Sequence, residues 1–240
     1  MVAIYEPKGR ALEYAPLACN LYRGCGHKCT YCYAPQVIRE SRDTFHSSIN
    51  PRKNILAEIR KDAAKLRNDP RRVLLSFTSD PYQKENDEHK LARSAIEILH
   101  EHGLSVEILS KGGMRATQDF DLLGAEDRVA ATLTSVSDDI AREWEPGAAL
   151  PKDRMAYLEL AKSRGLVTWA SLEPVIDPAE SLEIIRQTHT FVDKFKVGTL
   201  NHHARSKEID WRRFGLDAVE LLEKLGCDYY IKKDLREAIG

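Results

Sequence analysis

The chain has 240 residues, with 36 Lys and Arg against 37 Asp and Glu and a pI near 6.7. At 42% apolar and 30% charged residues it is neither a disordered nor a membrane-embedded chain, and its near-neutral charge does not mark a general nucleic-acid binder. No apolar run approaches the ~20 residues of a membrane span, and Met1 to Lys8 lacks a secretion-signal pattern, so a soluble cytoplasmic protein with one substantial core is expected.

A strand is predicted around Ala18 to Tyr22, and the run Tyr22-Arg23-Gly24-Cys25-Gly26-His27-Lys28-Cys29-Thr30-Tyr31-Cys32-Tyr33-Ala34-Pro35 follows it. Ile55, Ile59, Ala63 and Leu66 then recur at helical spacing, as do Leu91, Ala95, Ile98 and Leu99, and later Met155, Leu158, Leu160 and Ala161. Apolar, β-branched runs at 72–78, 104–109, 128–133, 166–172, 191–197 and 228–231 alternate with those helices. Gly103, Gly165 and Gly226 stand where helix C-termini are expected. The repeated order of helix, glycine, strand and polar turn predicts an α/β fold with parallel strands and right-handed crossovers. Six or seven units are too few to close an eight-stranded barrel, so an open, partial TIM-type barrel is expected, with its chemistry at the C-terminal strand ends. The basic clusters at Arg60, Lys61, Lys65, Arg67, Arg71 and Arg72, and at Arg205, Lys207, Arg212 and Arg213, read as solvated helix faces.

Cys25, Cys29 and Cys32 form the pattern C-x3-C-x2-C, and the remaining Cys19 and Cys227 read as small buried residues. Three packed thiols among five cysteines make a poor disulfide framework and a good metal one. A four-iron cube takes four ligands, so three thiolates leave one iron open to something else. Zinc is the rival: it wants a fourth Cys or His, and His27, between Cys25 and Cys29, is badly placed to share one ion with them. The spacing favours iron–sulfur over zinc.

With Tyr31 as the aromatic residue before the third cysteine, this loop resembles that of the radical S-adenosylmethionine (SAM) enzymes. The resemblance implies a partial (β/α)6 barrel and a [4Fe–4S] cluster on Cys25, Cys29 and Cys32. It further implies SAM on the open iron, cleavage of SAM to a 5′-deoxyadenosyl radical, and a flavodoxin- or ferredoxin-like reductant. Asn20-Leu21-Tyr22-Arg23-Gly24, Thr78-Ser79-Asp80-Pro81-Tyr82-Gln83, Ser110-Lys111, and Glu145-Pro146-Gly147-Ala148 with Arg154 are similar to segments of the spore photoproduct lyase-like branch. Ser171-Leu172-Glu173-Pro174, Val197-Gly198, Asp210-Trp211 and Tyr230-Ile231-Lys232-Lys233 resemble phage-encoded radical SAM proteins. A single domain over 1–240 follows, with a core over about 17–200 and a C-terminal extension over about 201–240. The branch carries a further cysteine near the end of the second strand, where this chain reads Ser76-Phe77-Thr78-Ser79-Asp80. Photoproduct reversal through such a cysteine is therefore in doubt.

On the same basis Lys111 is expected to meet the SAM carboxylate. Thr132, Thr134 and Ser135 supply hydroxyls to it, and Tyr31, Tyr33, Thr78 and Ser79 border it. Glu173 is expected near its ribose or amino group. Asp80, Tyr82, Glu173, Asn201 and His202 are the candidate catalytic side chains. Each has a plainer reading: Asp-Pro starts turns, hydroxyls cap helices, and Tyr22, Tyr33 and Tyr82 pack as aromatics. His202 and His203, adjacent in an extended segment, point opposite ways and make a poor metal pair; Lys232 and Lys233 alternate likewise, with one facing inward. The substrate expected is a nucleic-acid base, thymine-like by analogy, in DNA or a nucleotide. A small metabolite or peptide is the alternative, and a non-catalytic metal-binding module the third reading.

Overall fold

A computed structural model describes residues 2–201 and 203–240. His202, a candidate catalytic side chain, lies outside the described residues. Strands are β1 (Ile4–Tyr5), β2 (Leu17–Cys19), β3 (Tyr22–Arg23), β4 (Asn50–Pro51), β5 (Val73–Leu75), β6 (Val106–Ser110), β7 (Arg128–Thr132), β8 (Val167–Leu172), β9 (Lys194–Val197) and β10 (Asp228–Ile231). Helices are α1 (Ala34–Ile38), α2 (Arg42–Ser47), α3 (Ile55–Lys65), α4 (Asn86–His89), α5 (Leu91–Glu101), α6 (Asp138–Trp144), α7 (Pro151–Ser163), α8 (Pro178–Thr188), α9 (Trp211–Lys224) and α10 (Lys233–Ile239).

One sheet runs in the order β1-β2-β5-β6-β7-β8-β9-β10, and a small antiparallel pair, β3-β4, stands apart from it. From β2 to β10 every pairing is parallel; only β1 runs antiparallel, on β2. This is the partial parallel barrel with helices on its outer face. β10 extends it beside β9, so residues 228–231 belong to the sheet itself.

Strand alternation sorts side chains into two apolar layers. Leu17, Cys19, Val73, Leu75, Val106, Ile108, Ala170, Leu172, Phe195 and Val197 pack outward against α3, α5, α7, α8 and α9. Ala18 and Leu74, with Phe77, Leu109 and Tyr14, form a separate inner cluster in the lumen. Gly103, Gly165 and Gly226 have φ of +70°, +80° and +68°, the left-handed backbone that ends α5, α7 and α9. Among the described residues no helix is long and apolar enough to cross a membrane.

β1 and β10 are the two edges of the sheet, and a strap bridges the flank between them. Residues Gly9–Glu13 form a 3-10 turn. Arg10 donates to Asp234 at 3.0 Å, and Glu13 accepts from the Tyr230 hydroxyl at 3.0 Å and from Lys233 N at 2.8 Å. Lys196 Nζ donates to the Tyr14 carbonyl at 2.6 Å and lies 4.2 Å from the centre of the Trp169 ring.

Candidate cofactor site at the barrel mouth

The cysteine loop leaves β3 and is tied from three sides. From α2, Arg42 donates to the carbonyls of Cys29 (2.6 Å), Cys32 (2.9 Å) and Thr30 (2.9 Å), while His46 Nδ1 lies 2.8 Å from the Cys25 carbonyl. From the segment after β5, Gln83 accepts from Gly26 N at 2.9 Å and donates to the Gly24 carbonyl at 3.4 Å. From the segment after β7, Trp144 O accepts from Thr30 N at 2.8 Å, and Gly147 N donates to the His27 carbonyl at 2.9 Å. His27 is buried, with Nδ1 3.0 Å from the Gly147 carbonyl and Nε2 3.0 Å from Asp80 Oδ2. Both ring nitrogens are thus spent on the scaffold.

Asp80 is the hub beneath the loop. Its carboxylate accepts from Tyr82 N (2.8 Å), Ser110 Oγ (2.7 Å) and Lys111 N (2.7 Å) besides facing His27. Burial works to raise its pKa, and His27 with these donors outweighs burial and holds it well below the usual carboxylate range. Asp80 therefore organises backbone. Tyr82, read from the sequence as catalytic, is a correction: its ring is fully buried in the sheet–helix core and its hydroxyl donates to Asp119 at 3.0 Å. The Asp80 cap on Tyr82 N makes a tight turn that sends the phenol away from the mouth.

A second buried network lies across the loop. Tyr31 donates its hydroxyl to Glu145, which also accepts from Thr134 Oγ1 at 2.9 Å and pairs with Arg154 at 2.6 Å. Arg154 in turn donates to the carbonyls of Thr132 (3.0 Å) and Ala149 (2.7 Å). Burial works to raise Glu145, but Arg154 and Lys111 hold it below its ordinary value. The segment Glu145–Ala148 and Arg154 are thereby one unit with Tyr31.

Lys111 follows β6 and lies 5.9 Å from the centre of the Tyr31 ring. Burial pulls its pKa down, and Cys29, Glu145 and Asp80 overcome this and raise it, so the ammonium is held charged. Thr132 ends β7 buried, Ser135 donates to Ser137 O at 3.1 Å at the start of α6, and Thr78 N donates to Asn20 Oδ1 at 2.8 Å. Tyr33 is 45% exposed and its hydroxyl lies 3.3 Å from Phe77 O, so it leans over the end of β5.

The third cluster surrounds Glu173, just past β8. Its carboxylate accepts from Tyr14 at 2.6 Å and Asn201 at 3.2 Å, and it pairs with Lys232. Lys232 is buried with its ammonium 3.3 Å from the centre of the Tyr14 ring, whereas Lys233 is exposed. Burial pulls Lys232 down to about 8, more than Glu173 raises it. Tyr14 and Arg42 carry hydrogen bonds of the site without having stood out in the sequence, while His27 and Gln83, noted there, serve the scaffold.

The residues present suit the two groups the loop implies. Five free cysteines include three on one loop, and Cys29 feels both Lys111 and Cys32. Burial pushes the Cys29 thiol up to about 12 although Lys111 opposes this, so the thiol stays protonated until a metal displaces its proton. Three thiols on one loop suit a cube, whose irons take one thiolate each and leave the fourth iron open. Ser76 Oγ and Ser79 Oγ are buried at the end of β5 without a hydrogen-bond partner, and Lys111, just past β6, offers a cation for a ligand carboxylate.

A partial parallel barrel with a three-cysteine loop at its mouth defines a class of cofactor-dependent enzymes. The family model of the Radical SAM superfamily matches residues 19–192, and the chain belongs to that superfamily. Among relatives, protein Rv2578c of Mycobacterium tuberculosis is 27% identical over 219 residues, 85% of this chain and 64% of its own length. The chain thus spans somewhat less than two thirds of that relative. Protein ORF301 of Acidianus two-tailed virus is 26% identical over 240 residues, covering 93% of this chain and 76% of its own. Among solved structures, spore photoproduct lyase with bound AdoMet and dinucleoside spore photoproduct superposes with a TM-score of 0.74 at 16% identity, over 97% of this chain and 79% of that one. Streptococcus suis SuiB bound to S-adenosylmethionine gives 0.68 at 11% identity, over 92% and 51%. At such identities these two share the fold. Superfamily members use a [4Fe–4S] cluster and SAM and need an external reductant.

Proposed function

We propose that this chain is a radical SAM enzyme of lyase or isomerase type that acts on a nucleic-acid base, rearranging or modifying it. The observation that carries the reading is the convergence, on one barrel mouth, of the cysteine loop with Lys111, Thr132 and the Glu173–Asn201 pair. When bound, the cluster and SAM supply a carbon radical able to abstract hydrogen from an unactivated position. Cys25, Cys29 and Cys32 hold the cluster. Lys111 neutralises the SAM carboxylate, with Thr132, Ser135, Thr78 and Ser79 bordering it and Tyr31 and Tyr33 flanking the loop. Glu173, anchored by Tyr14, Lys232 and Asn201, presents a fixed carboxylate to a hydroxyl or amino group. Asp80 serves the site through the backbone it holds.

The base as substrate draws support from the fold shared with spore photoproduct lyase over almost the whole chain. Ser76-Phe77-Thr78-Ser79-Asp80 contains no cysteine to return hydrogen to a product, which favours modification over photoproduct reversal. A small metabolite or peptide is the second reading, since the fold is shared with SuiB as well. The protein is reconstituted with iron and sulfide under anaerobic conditions, reduced with SAM, and offered DNA oligomers, nucleosides or a metabolite pool in deuterated buffer. The proposal expects 5′-deoxyadenosine above a Cys29→Ala control, stimulated by the DNA or nucleoside arm. Stimulation confined to the metabolite pool would sink the nucleic-acid reading, and no product in any arm would sink both.

A further inference from the structure

Glu173 uses its two carboxylate oxygens differently. Oε2 accepts from the Tyr14 hydroxyl and pairs with Lys232, whereas Oε1 accepts from Asn201 Nδ2 at 3.2 Å and has no other hydrogen-bond partner among the described residues. The Asn201 carboxamide is turned by Thr199, whose hydroxyl donates to Oδ1 at 3.2 Å, so its nitrogen is the end that meets Glu173. A lone pair of Oε1 and an N–H of Asn201 are left over, side by side. Gly198 keeps that oxygen clear, since a Cβ there would lie 2.6 Å from Oε1. Glu173 has 18% of its side chain exposed and Asn201 is half-buried, while Lys232 has 2%. A ligand therefore meets the first two and not the lysine.

An aromatic wall stands beside the pair. Tyr14 packs edge-on against Phe77 with ring centres 5.8 Å apart. Exposed Tyr33 reaches over to the Phe77 carbonyl and is close enough to feel the charge of Glu173. Among the described residues no hydrogen bond or ion pair ties Glu173 to the cysteine loop. The charges that act most on Lys111 are Cys29, Glu145, Asp80 and Arg154. The Lys111 cation and the Glu173–Asn201 pair are thus separate features of the mouth.

We propose that Glu173 and Asn201 read the lactam edge of an unpaired nucleobase, a ring N–H beside a ring C=O as in thymine, uracil and guanine. The N–H donates to Glu173 Oε1, and the C=O accepts from Asn201 Nδ2. The inference rests on the nucleic-acid-base reading and adds which edge of the base is read. A peptide does not offer that edge, because a trans amide points its N–H and C=O opposite ways. A base paired in a duplex has the edge occupied, so the target is a nucleoside or an extruded base. Adenine and cytosine present an amino N–H beside a ring nitrogen. A lactam N–H is the more acidic donor and gains more from a carboxylate acceptor. Tyr14 and Lys232 are positioning residues, which hold Oε2 so that Oε1 stays fixed.

The test uses the full chain, reconstituted with its cluster, kept unreduced with SAM, and dialysed to equilibrium against single nucleosides. Thymidine and deoxyguanosine are expected to bind about tenfold more tightly than 3-methylthymidine, deoxycytidine or deoxyadenosine, the discrimination given by one well-placed pair of hydrogen bonds. In Asn201→Ala and Glu173→Gln, thymidine is expected to fall to the level of 3-methylthymidine while SAM stays bound. The comparison of thymidine with 3-methylthymidine is made on the wild-type protein, so misfolding cannot produce the expected result. Equal affinity for those two, or no binding of either, would overturn the proposal. So would deoxycytidine or deoxyadenosine binding as tightly as thymidine. Loss of SAM affinity in step with thymidine in both variants assigns the pair to SAM and overturns it as well. DNA-stimulated 5′-deoxyadenosine formation without a lactam preference would sink this inference and leave the nucleic-acid-base reading standing.

Discussion

The Tyr14 hydroxyl donates to Glu173 Oε2 at 2.6 Å, joining the strap that bridges the barrel's open flank to the carboxylate at the end of β8. Lys232 completes the trio from beyond β10. Tyr14→Phe removes one hydrogen bond from a carboxylate that keeps two other partners, so a loss of about 1–2 kcal/mol is expected. Glu173→Ala is expected to cost more, about 3–5 kcal/mol, because Lys232 is left buried and unpaired. Urea unfolding of the two variants checks the order, and an equal loss in both would contradict it.

The same lysine sets a pH dependence. Lys232 stands at about 8 in the fold against an ordinary 10.5, with Glu173, Lys196 and Glu13 as its charged neighbours. Between those values the unfolded chain binds the proton that the folded chain has released, so stability rises with pH across the window. Lys232→Met is expected to remove that rise. Unfolding midpoints of both proteins from pH 7.5 to 10.5 test it, and parallel curves would refute it.

Glu145 and Arg154 are almost completely buried, at 0% and 1% side-chain exposure, and hold Tyr31 of the cysteine loop. Arg154→Met strands the carboxylate and is expected to cost about 3–5 kcal/mol, with the Glu145→Gln/Arg154→Met pair recovering part of it. Iron bound per chain after reconstitution is expected to fall with Arg154→Met, since Tyr31 loses its fixed acceptor. Full iron loading in a folded Arg154→Met protein would show that the network serves stability alone.

Gly147 permits a close approach of the cysteine loop to the segment after β7. A Cβ there would lie 2.1 Å from the Gly26 carbonyl oxygen and 3.0 Å from His27 Cα. Both obstacles are backbone, so Gly147→Ala must displace the loop. Lower iron content and a lower melting temperature are expected, whereas Gly124→Ala, whose Cβ would meet its nearest neighbour at 4.0 Å, serves as the control.

Much of the barrel is legible in the sequence because each strand is a compact apolar run and several helices end on a glycine. The runs at 72–78, 104–109 and 166–172 contain β5, β6 and β8 almost whole. β1 is two residues long and its pattern carries no periodic signal. The cysteine loop stands out because its ligands are close in sequence; the residues that hold it do not. Tyr14 and Glu173 are 159 positions apart, and Tyr31 and Glu145 are 114 apart, so no local spacing links them. Tyr82 shows the converse: a polar tip beside a motif suggested the site, and burial against Asp119 decided otherwise.

The strap of Gly9–Glu13 gives the two groups of contacts different times of completion. Every hydrogen bond described for the cysteine loop is made by residues up to Arg154, whereas the strap and Glu173 await Tyr230, Lys232, Lys233 and Asp234. On a ribosome the loop's scaffold can therefore be in place while the flank of the barrel is still open, and β10, which emerges after it, shuts the flank. In that order of emergence the cysteine loop can be anchored before Glu173 acquires the last of its partners, Lys232.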